Sequence, residues 1–139
     1  MLVDTILESL KILEDLKEKS LEEILNNRIL AGAVLWYLYT VVQGCIDLAL
    51  KVISELGLKV PESYADSFRV LKEEGIITES LSKKLVGMAR FRHVLAHVYT
   101  KIDFTRIYNI LHQNLEDIRE YLKTLTEKLK ERGIDIRKL

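Results

Sequence analysis

Arg92, His93 and His97 lie within six residues of one another in the string Arg-Phe-Arg-His-Val-Leu-Ala-His-Val-Tyr, which runs from Arg90 to Tyr99. An arginine is a permanent cation with a flat fork of N–H donors, and an imidazole exchanges protons near neutral pH. Together they suit a ligand that carries phosphate. They also meet the needs of RNA phosphodiester cleavage without a metal. One group takes the proton from the ribose 2′-OH, one returns a proton to the departing 5′ oxygen, and a cation stabilises the charge that gathers on the phosphorane oxygens. In this scheme His97 moves protons and Arg92 holds charge. One chain offers few proton carriers, which favours a composite site shared across a two-fold homodimer.

The string sits in the only strongly biased charge window of a chain whose 21 basic and 21 acidic residues cancel. Between Ser80 and His112 there are six basic residues, Lys83, Lys84, Arg90, Arg92, Lys101 and Arg106, against the single acid Asp103. All three histidines fall there too, so the rest of the chain is net acidic. Lys83, Lys84, Arg90 and His93 are therefore candidates for contacting RNA phosphates. Blander readings stand beside each of these. The window is equally a solvated helix face, Arg92 an ion-pair partner of Asp47 or Glu55, and His97 a structural histidine. His93 and His97 have the i, i+4 spacing of a zinc pair, but the glutamate of the metalloprotease motif is missing and only His112 or distant acids would complete a set, so no metal is assigned. No glycine-rich phosphate loop is present, and no cofactor is assigned.

The elements that must hold these residues read as helices. Six glycines and one proline leave little turn material for a sheet protein, and 139 residues suffice for one domain, residues 1–139, with a real core. Apolar residues at helical spacing predict a first helix over Asp4–Lys19, and Ser20-Leu-Glu-Glu23 is a capping box that opens a second. Asn26-Asn27 bends or interrupts it. Arg28 to Leu56 is then apolar round most of its circumference, as a central bundle helix is, and Gly57 stops it. Trp36, Tyr37 and Tyr39 in that run read as packing aromatics, and the lone Cys45 as a small buried hydrophobe. A short helix over Tyr64–Glu74 follows the single proline and is closed by Gly75. Thr78 caps a helix that starts near Glu79 and carries the motif toward Thr100–Asp103. Asp103 reads as the cap of one last helix of eight turns, Phe104–Arg132, stopped by Gly133, with Ile134–Leu139 frayed beyond it. No uncharged apolar run approaches the roughly 20 residues that cross a bilayer, and the start of the chain lacks a signal pattern, so a cytoplasmic protein with no membrane partner is expected. Were the segment from Arg92 to Tyr99 helical, Arg92 and Tyr99 would share a stripe and His97 would lie about 140° round from Arg92, a gap that unwinding near Ala96 would close.

Arginine, four residues, histidine, one residue and tyrosine, at Arg92, His97 and Tyr99, resembles the signature of the HEPN superfamily in its HepT toxin form. Pro61-Glu-Ser-Tyr64, Leu71 with Gly75-Ile-Ile77, Leu85-Val-Gly-Met-Ala89 and Ile102-Asp103 resemble the same family in order and spacing, from about Leu21 to Leu125. The resemblance implies an all-α, antiparallel up-and-down helical bundle with short additional helices. It also implies a homodimer with the motif at its interface, and a metal-independent ribonuclease toxin paired with a minimal nucleotidyltransferase antitoxin. It assigns catalysis to Arg92 and His97 and makes Tyr99 the residue that the antitoxin adenylylates. The position after the arginine is most often Asn in HepT proteins, and here it is His93. Some superfamily members are non-catalytic, which leaves a helical binding partner of a nucleotidyltransferase as the alternative.

Overall fold

The computed structural model describes residues 2–97 and 101–139, with side chains from 103 onward in the second span. It contains seven α-helices in chain order: α1 (Leu2–Leu16), α2 (Leu21–Leu25), α3 (Arg28–Leu56), α4 (Tyr64–Glu73), α5 (Glu79–Leu95), α6 (Lys101–Gln113) and α7 (Leu115–Glu131). A 3-10 turn, Ile136–Lys138, follows α7. Among the described residues there is no strand. The long helix α3 is the axis, and α1, α4 and α5 pack along it, while α7 closes the bundle against α1 and α5.

Local chemistry sets most boundaries. Ser20 accepts from the Glu23 backbone N–H, and the Glu23 carboxylate accepts from the Ser20 backbone N–H, completing the capping box that starts α2. Asn27 interrupts the chain as expected: its Oδ1 accepts from the N–H groups of Ile29 and Leu30 and so begins α3 afresh. Ser63 and Thr78 cap α4 and α5 in the same way. Gly57 ends α3 at φ 63°, in the left-handed region where a side chain would be strained.

One apolar cluster runs through the molecule, joining Ile6, Leu10 and Leu13 of α1 to Leu38, Ile46 and Leu48 of α3, Phe68 and Leu71 of α4, Leu85 of α5 and Leu125 of α7. Tyr121 is fully buried within it. Its ring meets Phe68 edge-on at 5.6 Å and its hydroxyl donates to the Cys45 carbonyl at 2.9 Å. Cys45 is buried as expected, and that burial pushes its thiol up to about 12, so at neutral pH it carries no thiolate. By length and apolarity α3 is the one described helix able to cross a membrane, yet Val34, Leu38, Val41, Cys45, Leu48 and Val52 are all consumed by this core.

Four expectations need correction. The run from Phe104 to Arg132 is two helices, α6 ending at Gln113 and α7 starting at Leu115, with Asn114 between them at φ −114° and its side-chain amide donating to the Asp117 carboxylate at 3.1 Å. The apolar period hides this break, since Leu111, Leu115 and Ile118 keep facing the core across it. Asp103 lies in the first turn of α6, which begins at Lys101, and is not its cap. The tail is docked: Ile136 is buried, Lys51 donates to the Leu139 main-chain oxygen at 2.8 Å and Arg137 pairs with Asp4 at 3.6 Å. Trp36 does not pack, being 63% exposed.

Gly44 marks the closest approach of α3 to α1, because a Cβ there would stand 2.6 Å from Ile6 Cγ1 in a fully buried position. Alanine gains about 1 kcal/mol of helix propensity but overpacks a filled core at a cost of about 1–3 kcal/mol. Gly44→Ala is therefore expected to lower the unfolding free energy by roughly 1 kcal/mol or more in urea titrations, against the sign that propensity alone predicts.

Candidate functional site

Helix α5 ends inside the motif. Leu95 is its last helical residue, and the Ala96 N–H turns back to the carbonyls of His93 and Val94, so His97 lies just past the helix terminus. Leu95 is buried and anchors that end, while Ala96 and His97 are exposed. The helix thus ends between Arg92 and His97, with Ala96 itself still in the right-handed helical region at φ −80° and ψ −13°. The two imidazoles stack, with ring centroids 4.7 Å apart and planes tilted by 51°.

Arg92 turns the other way, into the groove between α3 and α4. Its Nε–H donates to Gln43 Oε1 at 2.5 Å, and its Nη2 reaches the Tyr39 hydroxyl at 3.4 Å. The guanidinium carbon lies 5.6 Å from the centre of the Tyr39 ring and 5.2 Å from that of Tyr64, distances at which an aromatic face attracts a cation. Gln43 in turn donates through Nε2 to Asp47 Oδ1 at 2.9 Å. Among the described residues no carboxylate pairs directly with Arg92. Asp47 reaches it only through Gln43, and Glu55 does not take part. Tyr39, which reads from the sequence as packing, is a partner of the arginine. Gln43 and Tyr64 carry no sequence signal of their own as site residues, because their contacts with Arg92 span 49 and 28 positions and no local spacing announces them. The Pro61–Tyr64 segment, as part of the family pattern, is the one available pointer.

The other basic candidates are not gathered around Arg92 within one chain. Lys83 and Arg90, seven residues apart, share a stripe about half a turn round α5 from Arg92. Lys83 lies 3.9 Å from Glu79 on its own helix, and Lys84 pairs with Asp117 of α7 at 3.5 Å. Arg90 is exposed, as is His93. His112 stacks on Tyr108 with centroids 4.4 Å apart, and the Tyr108 hydroxyl donates to the Lys19 carbonyl at 2.8 Å, which ties α6 to the turn between α1 and α2. Arg106 lies over the Phe91 ring at 5.9 Å. Tyr99 lies outside the described residues.

Such a site offers one immobilised cation and two exposed imidazoles at the same end of one helix. A fixed cation able to meet a negatively charged oxygen and imidazoles able to exchange a proton are the group types that phosphoryl chemistry requires.

Comparison with known proteins gives this geometry a setting. Residues 6–125 match the family described as Ribonuclease HepT-like. The mRNA nuclease HepT of Shewanella oneidensis is 27% identical over 96 residues, covering 69% of this chain and 72% of that protein. A putative RNase of Archaeoglobus fulgidus is 30% identical over 92 residues, or 66% and 67% of the two chains. Among solved structures, the tri-AMPylated Shewanella oneidensis HEPN toxin in complex with MNT antitoxin superposes with a TM-score of 0.81 at 23% identity, over 91% of this chain and 94% of that one. The all-α HEPN-like bundle expected from the sequence is therefore the fold.

The site residues lie at the rim and the core lies elsewhere, which separates stability from chemistry. His97→Ala is expected to leave the unfolding free energy within about 0.5 kcal/mol of wild type, as exposed substitutions do. Tyr121→Phe, which removes the buried hydroxyl's bond to the Cys45 carbonyl while that carbonyl keeps its partner within α3, should cost about 1 kcal/mol. Paired thermal melts check both.

Proposed function

Because the chain belongs to the HepT-like ribonuclease family, we propose that it is a metal-independent endoribonuclease toxin, silenced by a minimal nucleotidyltransferase antitoxin that adenylylates Tyr99. The observation that carries this reading is the break of α5 between Arg92 and His97. It places His97 just past the helix terminus while Arg92 is held by partners that do not cancel its charge. Arg92 then stabilises the phosphorane, and His97 transfers the proton of the 2′-OH or of the leaving oxygen. His93, stacked on His97, contacts the RNA from the position the family usually gives to Asn.

Cleavage needs both a proton acceptor and a proton donor, and a homodimer that places two copies of the motif in one groove supplies them. Ile29 and Trp36, 83% and 63% exposed, stand at seven-residue spacing on the same stripe of α3 as Gln43. Two exposed apolar side chains thus share a stripe with the residue that holds the arginine, the kind of surface that a second copy of the chain covers. In the dimer Lys83, Lys84 and Arg90 of the two copies extend the positive surface along the RNA backbone. Adenylylation of Tyr99, two residues beyond His97, adds a bulky anion beside the phosphate site, so that it is both blocked and electrostatically neutralised. The tri-AMPylated relative supports this part of the reading. The whole chain, residues 1–139, acts as one domain in the cytoplasm, consistent with the inert thiol of Cys45.

Purified protein incubated with RNA in excess EDTA should cleave it, and Arg92→Ala and His97→Ala should each lower the rate on the order of 10²-fold or more. Cleavage by His97→Ala at the wild-type rate would rule the mechanism out and leave a non-catalytic partner of the nucleotidyltransferase. Light scattering should give twice the chain mass, and Trp36→Glu should give monomers that no longer cleave. With the nucleotidyltransferase and ATP, mass spectrometry should find AMP on Tyr99 and activity should fall in step. Full neutralisation of Tyr99→Phe would mean that the antitoxin acts by binding alone.

A further inference from the structure

Gln43 is an unexpected residue to find on the nitrogen of a half-buried arginine, where a carboxylate would give a stronger pair. Its orientation is dictated at both ends. Asp47 only accepts hydrogen bonds, so the Gln43 NH2 group must face it, and the Gln43 carbonyl oxygen must then face the Arg92 Nε–H, which only donates. Asp47 and Gln43 are four residues apart on α3, the separation at which helical side chains meet, so the relay is built on a rigid element. Tyr39 and Tyr64 complete the enclosure from α3 and α4.

We propose that Gln43, oriented by Asp47, is a positioning residue that fixes the Arg92 guanidinium by a neutral oxygen and so leaves its full charge for the scissile phosphate. The proposal rests on the ribonuclease reading for its consequence in catalysis and stands on geometry for its structural content. Two requirements conflict at this arginine. Holding the side chain still removes up to about 2 kcal/mol of rotamer entropy before substrate arrives. A carboxylate would do this best, but it would compete with the phosphate for the same cation. A neutral amide holds the arginine without competing, and the carboxylate of Asp47 is kept one side chain further back, where it sets the amide's direction. Nε is the nitrogen consumed by Gln43, and among the described residues nothing accepts from Nη1, so the outer edge of the guanidinium is the one presented to a ligand.

The exchange Gln43→Glu separates the two roles, because it keeps shape and hydrogen bond while adding a charge. Gln43→Met keeps the approximate shape and removes the acceptor. In 15N-labelled protein, with the Arg92 Nε–H resonance assigned by its loss in Arg92→Lys, wild type and Gln43→Glu should both show a rigid side chain slow to exchange with water, and Gln43→Met should not. For RNA cleavage, Gln43→Glu should lower kcat/KM about 10²-fold even though its arginine is held, and Gln43→Met about 10-fold, chiefly in kcat. Asp47→Asn should fall between Gln43→Met and wild type, since it permits the amide to flip. Wild-type cleavage by Gln43→Glu, or an Arg92 Nε–H that is mobile in the wild type, would overturn the proposal. If the wild type cleaves no RNA, the ribonuclease reading fails instead. The positioning role is then decided by titration with inorganic phosphate, which should shift the Arg92 resonance in wild type and leave it unmoved in Gln43→Glu.

Discussion

Helix α3 presents apolar side chains round most of its circumference, and taking that surface out of water is the constraint to which the other helices conform. Its 29 residues are covered by α1 on one side and by α4 and α5 on others, and the closeness of the first contact is set by the missing side chain of Gly44. Burial of Val34, Leu38, Val41, Ile46, Leu48 and Val52 supplies a large share of the apolar stabilisation, at about 1.5–3 kcal/mol for each full side chain. Where α3 is left uncovered it carries a different chemistry: Ile29 and Trp36 project into solvent, and Tyr39, Gln43 and Asp47 supply the polar surroundings of Arg92. One helix therefore provides both the axis of the core and one wall of the candidate site.

Charge in this protein is distributed so that little of it is cancelled where it is used. The acidic excess lies outside the window from Ser80 to His112, and within it Lys84, Arg90 and Arg92 lie on different stripes of α5. Lys84 is turned toward Asp117, and Lys83 and Arg90 share another stripe of α5. Arg92 is held mainly by neutral groups, Gln43, Tyr39 and Tyr64. Elsewhere ion pairs serve ordinary structural ends, as where Arg119 of α7 grips Glu14 of α1 in a two-pronged contact that holds the guanidinium above its usual range. Arg119 is thus bound to a carboxylate and Arg92 to an amide, so the two guanidiniums differ in how much of their charge is met within the chain.

Features decided by neighbours within four residues are legible in the sequence itself. The capping box at Ser20, the stop at Gly57 and the starts at Asn27, Ser63 and Thr78 follow from side chains and backbone angles that are settled locally, so the residue types announce them directly. The motif with Arg92 and His97 is legible for a different reason, because residue types and spacing together are rare. Asn114 shows the limit of periodicity, since a helix that ends and restarts in phase keeps Leu111, Leu115 and Ile118 on one face. Trp36 shows a second limit: an apolar residue in an apolar helix gives no hint of which residues the bundle leaves outside. Gln43 and Tyr64 lie beyond such reasoning, because their importance comes only from meeting Arg92 across 49 and 28 residues of chain.

The joint at Asn114 also bears on how motion spreads through the molecule. A single rod of eight turns would carry any displacement at its first turn to its last, because a helix is stiff along its axis and the core beneath is close-packed. Here the rod is divided. Helix α7 is locked by Tyr121, Leu125 and Leu129, whereas α6 rests on its own contacts through Phe104, Ile107 and Leu111 and on the bond from Tyr108 to the Lys19 carbonyl. Both sets of side chains belong to the one apolar cluster, so the joint at Asn114 divides the rod while each half keeps its own hold on the core. Because α6 follows the stretch that carries His97, that stretch is tethered to the core on both sides, by buried Leu95 before it and buried Phe104 after it, independently of α7.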